Sequence, residues 1–143
     1  MVFEIHYRQR NYFQIESSVI CEYLENLHPN PPLTFEGKEK IALEATSGIF
    51  PAMAKLVKSP EFDSGLEKAL LEQLEKFEDF WAKRGQEGDY LLGDKISIAD
   101  CSLAPKLYHM QSCLKHYYPE TWEKVEKMEK VRTYVMSCFM VSW

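Results

Sequence analysis

Between Lys38 and Arg84 the apolar residues recur at helical spacing, and this constrains the fold more than anything else in the chain. Ile41, Ala45, Ile49, Met53 and Leu56 form one stripe. Leu66, Leu70, Leu74, Phe77 and Trp81 form a second. Steps of three and four put each set on a single helix face, whereas a strand would need alternation. The first stripe predicts a helix over about Lys38 to Lys58. Pro51 lies inside it and cannot bond the Ser47 carbonyl, so a kink is expected near Ser47 to Phe50. Ser59-Pro60 stops that helix. The second stripe predicts a helix from about Ser64 to Arg84, with Glu72–Lys76 and Asp79–Lys83 in the favourable order on its outer face. Two such helices joined by a short turn pack as an antiparallel hairpin.

A third helix announces its own start. In Ser97-Ile98-Ala99-Asp100 the Ser97 hydroxyl is spaced to accept from the Asp100 amide, and the Asp100 carboxylate to accept from the Ser97 amide. Ile96 and Cys101 stand where a hydrophobic staple would sit. This structural N-cap box opens a helix running from Ile98 to about Tyr117, bent at Pro105. From Ile98 to Tyr108 its apolar residues cover most of the circumference, which predicts burial on most sides. A further helix is expected over Glu120 to Lys130, with Glu120–Lys124, Glu123–Lys127 and Glu126–Lys130 pairs. The apolar segment Val131 to Trp143 should dock on the bundle.

The first residues differ in pattern. Val2 to Tyr7 and Tyr12 to Ile15 are β-prone and flank Arg8-Gln9-Arg10-Asn11, which predicts a β-hairpin. A helix follows from about Ser17 to Leu27, ended by His28-Pro29. Pro29, Pro31 and Pro32 then mark a linker. The expected organisation is therefore residues 1–28, a linker over 29–37, and an all-α domain over 38–143.

With 143 residues, 45% of them hydrophobic and 27% charged, the chain has a globular composition. Its net charge of −5, without a basic stripe, argues against nucleic acid and against an anionic membrane surface. No apolar run approaches the roughly 20 residues of a membrane span. Met1-Val2-Phe3-Glu4-Ile5 has the form of neither a signal nor a transit peptide, so a cytoplasmic location is expected. Cys21, Cys101, Cys113 and Cys138 match no zinc spacing, and are read as reduced, buried, small hydrophobes.

Two constellations invite chemistry. At Glu16-Ser17 a hydroxyl and the free amides of a helix N-terminus suit a carboxylate, with Glu16 beside them for an ammonium. An ordinary N-cap accounts for the same spacing. His109, Cys113 and His116 share one helix face, but chance spacing is the better account and no metal is expected. Neither a nucleophilic triad nor a phosphate-binding glycine loop can be drawn.

The string G-D-K-I-S-I-A-D-C-S-L-A-P-K-L-Y-H closely resembles the core helix of glutathione transferases. Its A-P-K-L-Y-H portion is most similar to the dehydroascorbate reductase branch, and its A-D-C and P-K-L portions also resemble the chloride intracellular channel branch. Glu16 to Glu25 resembles the glutathione-binding turn and last helix of the family's thioredoxin-like domain. The resemblance implies a mainly α fold: a glutathione-transferase C-terminal helical bundle, preceded by a β-hairpin and helix belonging to a thioredoxin-like domain. It implies glutathione as co-substrate, held at Glu16 and Ser17, and a small electrophilic or oxidised partner such as dehydroascorbate. Lys106, Tyr108 and His109 would lie on the substrate side of the cleft. Met1 falls where the third strand of the thioredoxin-like domain would begin. The resemblance therefore puts the family's catalytic residue outside this chain, which alone is expected to be inactive. The alternatives are a non-enzymatic interaction module of the same helical type and a fragment related to the channel branch. The hairpin, with an unpaired edge, is expected to self-associate.

Overall fold

The computed structural model describes residues 17–35, 37–85 and 87–139. The expected hairpin and Glu16 lie outside these residues. The chain divides after Pro31 into two compact units. In the first, α1 (Ser17–Leu27) closes with the His28 amide donating to the Leu24 carbonyl at 2.9 Å.

The second unit contains α2 (Lys38–Thr46), α3 (Ile49–Lys58), α4 (Ser64–Lys83), α5 (Ile98–Tyr117), α6 (Pro119–Glu126) and α7 (Glu129–Phe139). Among the described residues there is no strand, only an isolated bridge between Tyr90 and Gly93. The chain is thus mainly α. Both α2 and α3 pack on α4, as the hairpin reading expects, and α5 touches α2, α3, α6 and α7. Ile49, Met53, Leu56, Leu70, Leu74, Phe77, Leu103, Leu107, Met110, Leu114, Val125, Val131 and Tyr134 are each at most 2% exposed. Each large apolar side chain buried this way stabilises the fold by about 2 kcal/mol, before entropy is counted.

The expected kinked helix over Lys38 to Lys58 is two helices. Pro51 leaves the Ser47 carbonyl without its helical donor. Nearby, the Thr46 hydroxyl donates to the Ala42 carbonyl at 2.9 Å, and the Ser47 hydroxyl to the Glu44 carbonyl at 3.0 Å. These bonds favour an end to α2. Gly48 sits at the joint, where a Cβ would fall 2.7 Å from Gln73 Cδ of α4. The break also changes which face is inside. Ile41, read as core, is 63% exposed, and the inner face of α2 carries Glu39, Ala42 and Thr46.

The helix expected over Glu120 to Lys130 also breaks, at Lys127-Met128. Lys124 and Thr121 have a tertiary partner in place of the expected Glu120–Lys124 pair, whereas Trp122 bonds within the helix. Lys124 Nζ lies 2.8 Å from Glu67 Oε1 of α4, and the Thr121 hydroxyl donates to the same oxygen at 2.7 Å. Trp122 Nε1 donates to Glu126 at 2.6 Å. Across the break, Glu78 of α4 caps α7 from outside, its Oε1 accepting from the Lys130 and Val131 amides at 2.7 and 2.8 Å. A carboxylate there meets both free amides and the positive end of the helix dipole.

Burial of α5 is less complete than its composition suggests. Leu103, Leu107, Met110 and Leu114 are inside, but Cys101 and Tyr108 are exposed. Ile96 is 46% exposed as well, so it and Cys101 do not form a buried staple. Among the cysteines, Cys21, Cys113 and Cys138 are half-buried and none is fully inside.

Candidate functional site

The capping box opens α5 and does more than cap it. Asp100 is 1% exposed, and its two oxygens accept four hydrogen bonds. The Ser97 amide and hydroxyl donate to Oδ2 at 2.8 and 2.5 Å. The Leu91 amide and the Tyr134 hydroxyl donate to Oδ1, both at 2.9 Å. In return, Ser97 Oγ accepts from the Asp100 amide at 3.4 Å. One carboxylate therefore joins the loop before α5, the start of α5 and the middle of α7. A buried carboxylate engaged by four donors is a structural anchor, poorly placed to take a proton from a substrate.

The loop on which Leu91 sits is held from α4. The Arg84 guanidinium donates to the carbonyls of Gly88 and Tyr90 and lies 3.5 Å from the centre of the Trp81 ring. Trp81 packs edge-on against Tyr134 at 5.4 Å, and Phe77 lies 5.5 Å from Tyr134. Gly88 has a φ of 121°, and a Cβ there would collide with Gly93 and Asp94. Burial pushes the Tyr134 hydroxyl well above its usual range, and the Asp100 charge adds to that, so it remains a donor. Burial also pushes the Cys138 thiol up to about 11, partly opposed by its hydrogen bond with Tyr134. A thiol with this pKa is a poor nucleophile at neutral pH.

The residues read as a substrate wall lie on α5 but do not converge. Lys106 is half-buried and donates to the Ser102 hydroxyl at 2.9 Å, one turn back on its own helix. Tyr108 is exposed, its ring 5.5 Å from Phe139 of α7. His109 is exposed, its ring 6.0 Å from Phe50 of α3. Farther along, His116 packs edge-on against Tyr117 at 4.6 Å. Among the described residues no cluster of three or more His, Cys, Asp or Glu is arranged to hold a metal ion. Ser17 opens α1.

Sequence reasoning missed Arg84, Trp81, Tyr134, Glu67 and Glu78 as organising residues. The partners of Tyr134, Glu67 and Glu78 lie far along the chain, and those of Arg84 are near in sequence but are backbone carbonyls and a ring that no motif marks.

Residues 42–135 match the family profile described as "Glutathione S-transferase, C-terminal domain". The chain is 37% identical over 124 residues to "Glutathione S-transferase DHAR3, chloroplastic" of Arabidopsis thaliana, covering 87% of this chain and 45% of that protein. It is 36% identical over 124 residues to "Glutathione S-transferase DHAR2" of the same plant, covering 87% and 55%. It is 34% identical over 124 residues to "Probable glutathione S-transferase DHAR1, cytosolic" of Oryza sativa subsp. japonica, covering 87% and 54%. The chain spans about half the length of these curated relatives.

Proposed function

Because the chain belongs to the glutathione S-transferases through their C-terminal helical domain, we propose that it is the helical, substrate-side part of a glutathione-dependent dehydroascorbate reductase. The observation that carries this reading is the match to DHAR-type glutathione transferases over 87% of the chain. The family uses glutathione as co-substrate. In the proposed reaction two glutathione thiols are oxidised to one disulfide, and their two electrons and two protons reduce dehydroascorbate to ascorbate.

Residues 1–28 then belong to a thioredoxin-like domain, 29–37 form the linker and 38–143 the helical domain. Glu16 receives the ammonium of the γ-glutamyl end, and the Ser17 hydroxyl with the first amides of α1 receives its carboxylate. Lys106, Tyr108 and His109 form part of the wall beside the oxidised substrate, and the capping box of Ser97 and Asp100 holds α5 in place. None of the four cysteines of this chain acts as the nucleophile. Among the described residues no helix is long and apolar enough to cross a membrane. The cytoplasmic location expected from the first residues agrees with the name of the rice relative, whereas the first Arabidopsis relative is named chloroplastic. Self-association through residues 1–15 would appear as a doubled mass in light scattering, lost when those residues are removed.

The half-site is tested by titrating millimolar glutathione into the isotopically labelled chain. The amides of Ser17, Ser18 and Val19 should shift, and Ser17→Ala or Glu16→Gln should remove the response. Shifts confined to other segments would overturn the placement of glutathione.

A further inference from the structure

Two thiols on different helices lie beside the Asp100 anchor. Cys101 follows Asp100 in the first turns of α5 and is exposed. Cys138 is half-buried at the end of α7, one turn beyond Tyr134. Neither is in a disulfide. Residues four apart on a helix are neighbours on one face, so Tyr134 and Cys138 share a face of α7.

The Tyr134 hydroxyl ties that face to α5. It donates to Asp100 Oδ1 at 2.9 Å and is also hydrogen-bonded to Cys138. Cys138 is thus joined through one hydroxyl to the residue next to Cys101. The charge of Cys101 also bears on Cys138, an influence that fades with distance. The other cysteines are placed differently. Cys113 lies about 18 Å along α5 from Cys101, far beyond the roughly 7 Å between Cα atoms that a disulfide tolerates. Cys21 belongs to the other compact unit.

We propose that Cys101 and Cys138 form an oxidisable pair that closes to a disulfide and fastens the end of α7 to the start of α5. The oxidant is a peroxide, and the two thiols differ in role. Cys101, open to solvent, attacks hydrogen peroxide and takes one oxygen, becoming a sulfenic acid as water leaves. Cys138 stays protonated at neutral pH until it meets that electrophilic sulfur. Its sulfur then forms the S–S bond, and its proton leaves with the displaced hydroxide as a second water. Two thiols lose two electrons and two protons, and one peroxide is reduced to two waters. The disulfide is uncharged, so the burial that disfavours a Cys138 thiolate does not oppose it.

The test treats the dilute full chain with stoichiometric hydrogen peroxide at neutral pH, then reads its intact mass and its unreduced proteolytic peptides. The monomer should lose two hydrogens, and peptides joined through Cys101 and Cys138 should appear and be released by dithiothreitol. Cys101→Ser and Cys138→Ser should each abolish the crosslink, whereas Cys21→Ser and Cys113→Ser should leave it. Hydrogen exchange on the parent keeps the proposal testable should Cys138→Ser fold poorly: oxidation should slow exchange at the Ser137 and Cys138 amides. A crosslink through Cys21 or Cys113, a sulfinic acid at Cys101 without a crosslink, or unchanged exchange at the end of α7 would overturn the proposal.

Discussion

At the scale of single residues, Asp100 and Glu67 carry the largest consequences. Asp100→Ala would leave the Leu91 amide, the Ser97 amide and the Tyr134 hydroxyl buried without their acceptor. Losing a cap alone costs about 1 kcal/mol, and stranding buried donors raises the expected loss to about 3 kcal/mol. Tyr134→Phe, which removes one of the four donors, should cost about 1 kcal/mol. Urea unfolding of both variants measures these differences, and an unchanged midpoint for Asp100→Ala would contradict the anchoring role. The pairing of Ser97 with Asp100 was legible because its partners are three residues apart. The contacts of Asp100 with Leu91 and Tyr134 were not, because they span 9 and 34 residues and depend on how α4, α5 and α7 pack.

Glu67 gives stability a pH dependence of known sign. Burial raises its pKa, but the hydrogen bonds from Lys124 and Thr121 outweigh this and hold it below the usual 4.5. The folded state therefore gains stability from the ionised form above the unfolded pKa, and loses it as pH falls through the folded value. Glu67→Gln should be less stable than the parent at neutral pH by about 1 kcal/mol, because Lys124 is half-exposed and solvent screens the pair. Its melting temperature should then fall less steeply on acidification below pH 4.5. Parallel acid limbs for the two proteins would show that Glu67 titrates without coupling to folding.

At the scale of elements, the helices were visible in the apolar spacing; Pro51 marked the joint near Ser47 to Phe50 as a kink rather than a full break, and the break at Lys127-Met128 was not marked. The stripe from Ile41 to Leu56 reads as continuous. Pro51, the bonds from Thr46 and Ser47, and the close approach of Gly48 to Gln73 divide it and turn Ile41 outward. The Glu/Lys spacing from Glu120 to Lys130 likewise suggests one solvated helix. Lys124 turns instead to Glu67, and α7 begins afresh under the carboxylate of Glu78. Glu78→Ala should cost about 1 kcal/mol and speed hydrogen exchange at the Lys130 and Val131 amides before those of α5. Equal protection of these amides in parent and variant would remove Glu78 as the cap of α7.

At the scale of the whole molecule, family membership was legible in A-D-C-S-L-A-P-K-L-Y-H and in the order of helices, and the comparisons support it across most of the chain. The proposed division of labour, in which this chain supplies surface and position, is less legible because it depends on contacts far apart in sequence. Within the described residues the best-connected polar group, Asp100, is saturated with donors, and Lys106, Tyr108 and His109 face different neighbours. The most direct measurement is glutathione-dependent reduction of dehydroascorbate by the purified 143-residue chain, followed as ascorbate formation. The account predicts a rate equal to that of glutathione alone, unchanged when each of Cys21, Cys101, Cys113 and Cys138 is replaced in turn by Ser. Turnover above that background, abolished by a single Cys→Ser replacement, would contradict it by placing the nucleophile in this chain.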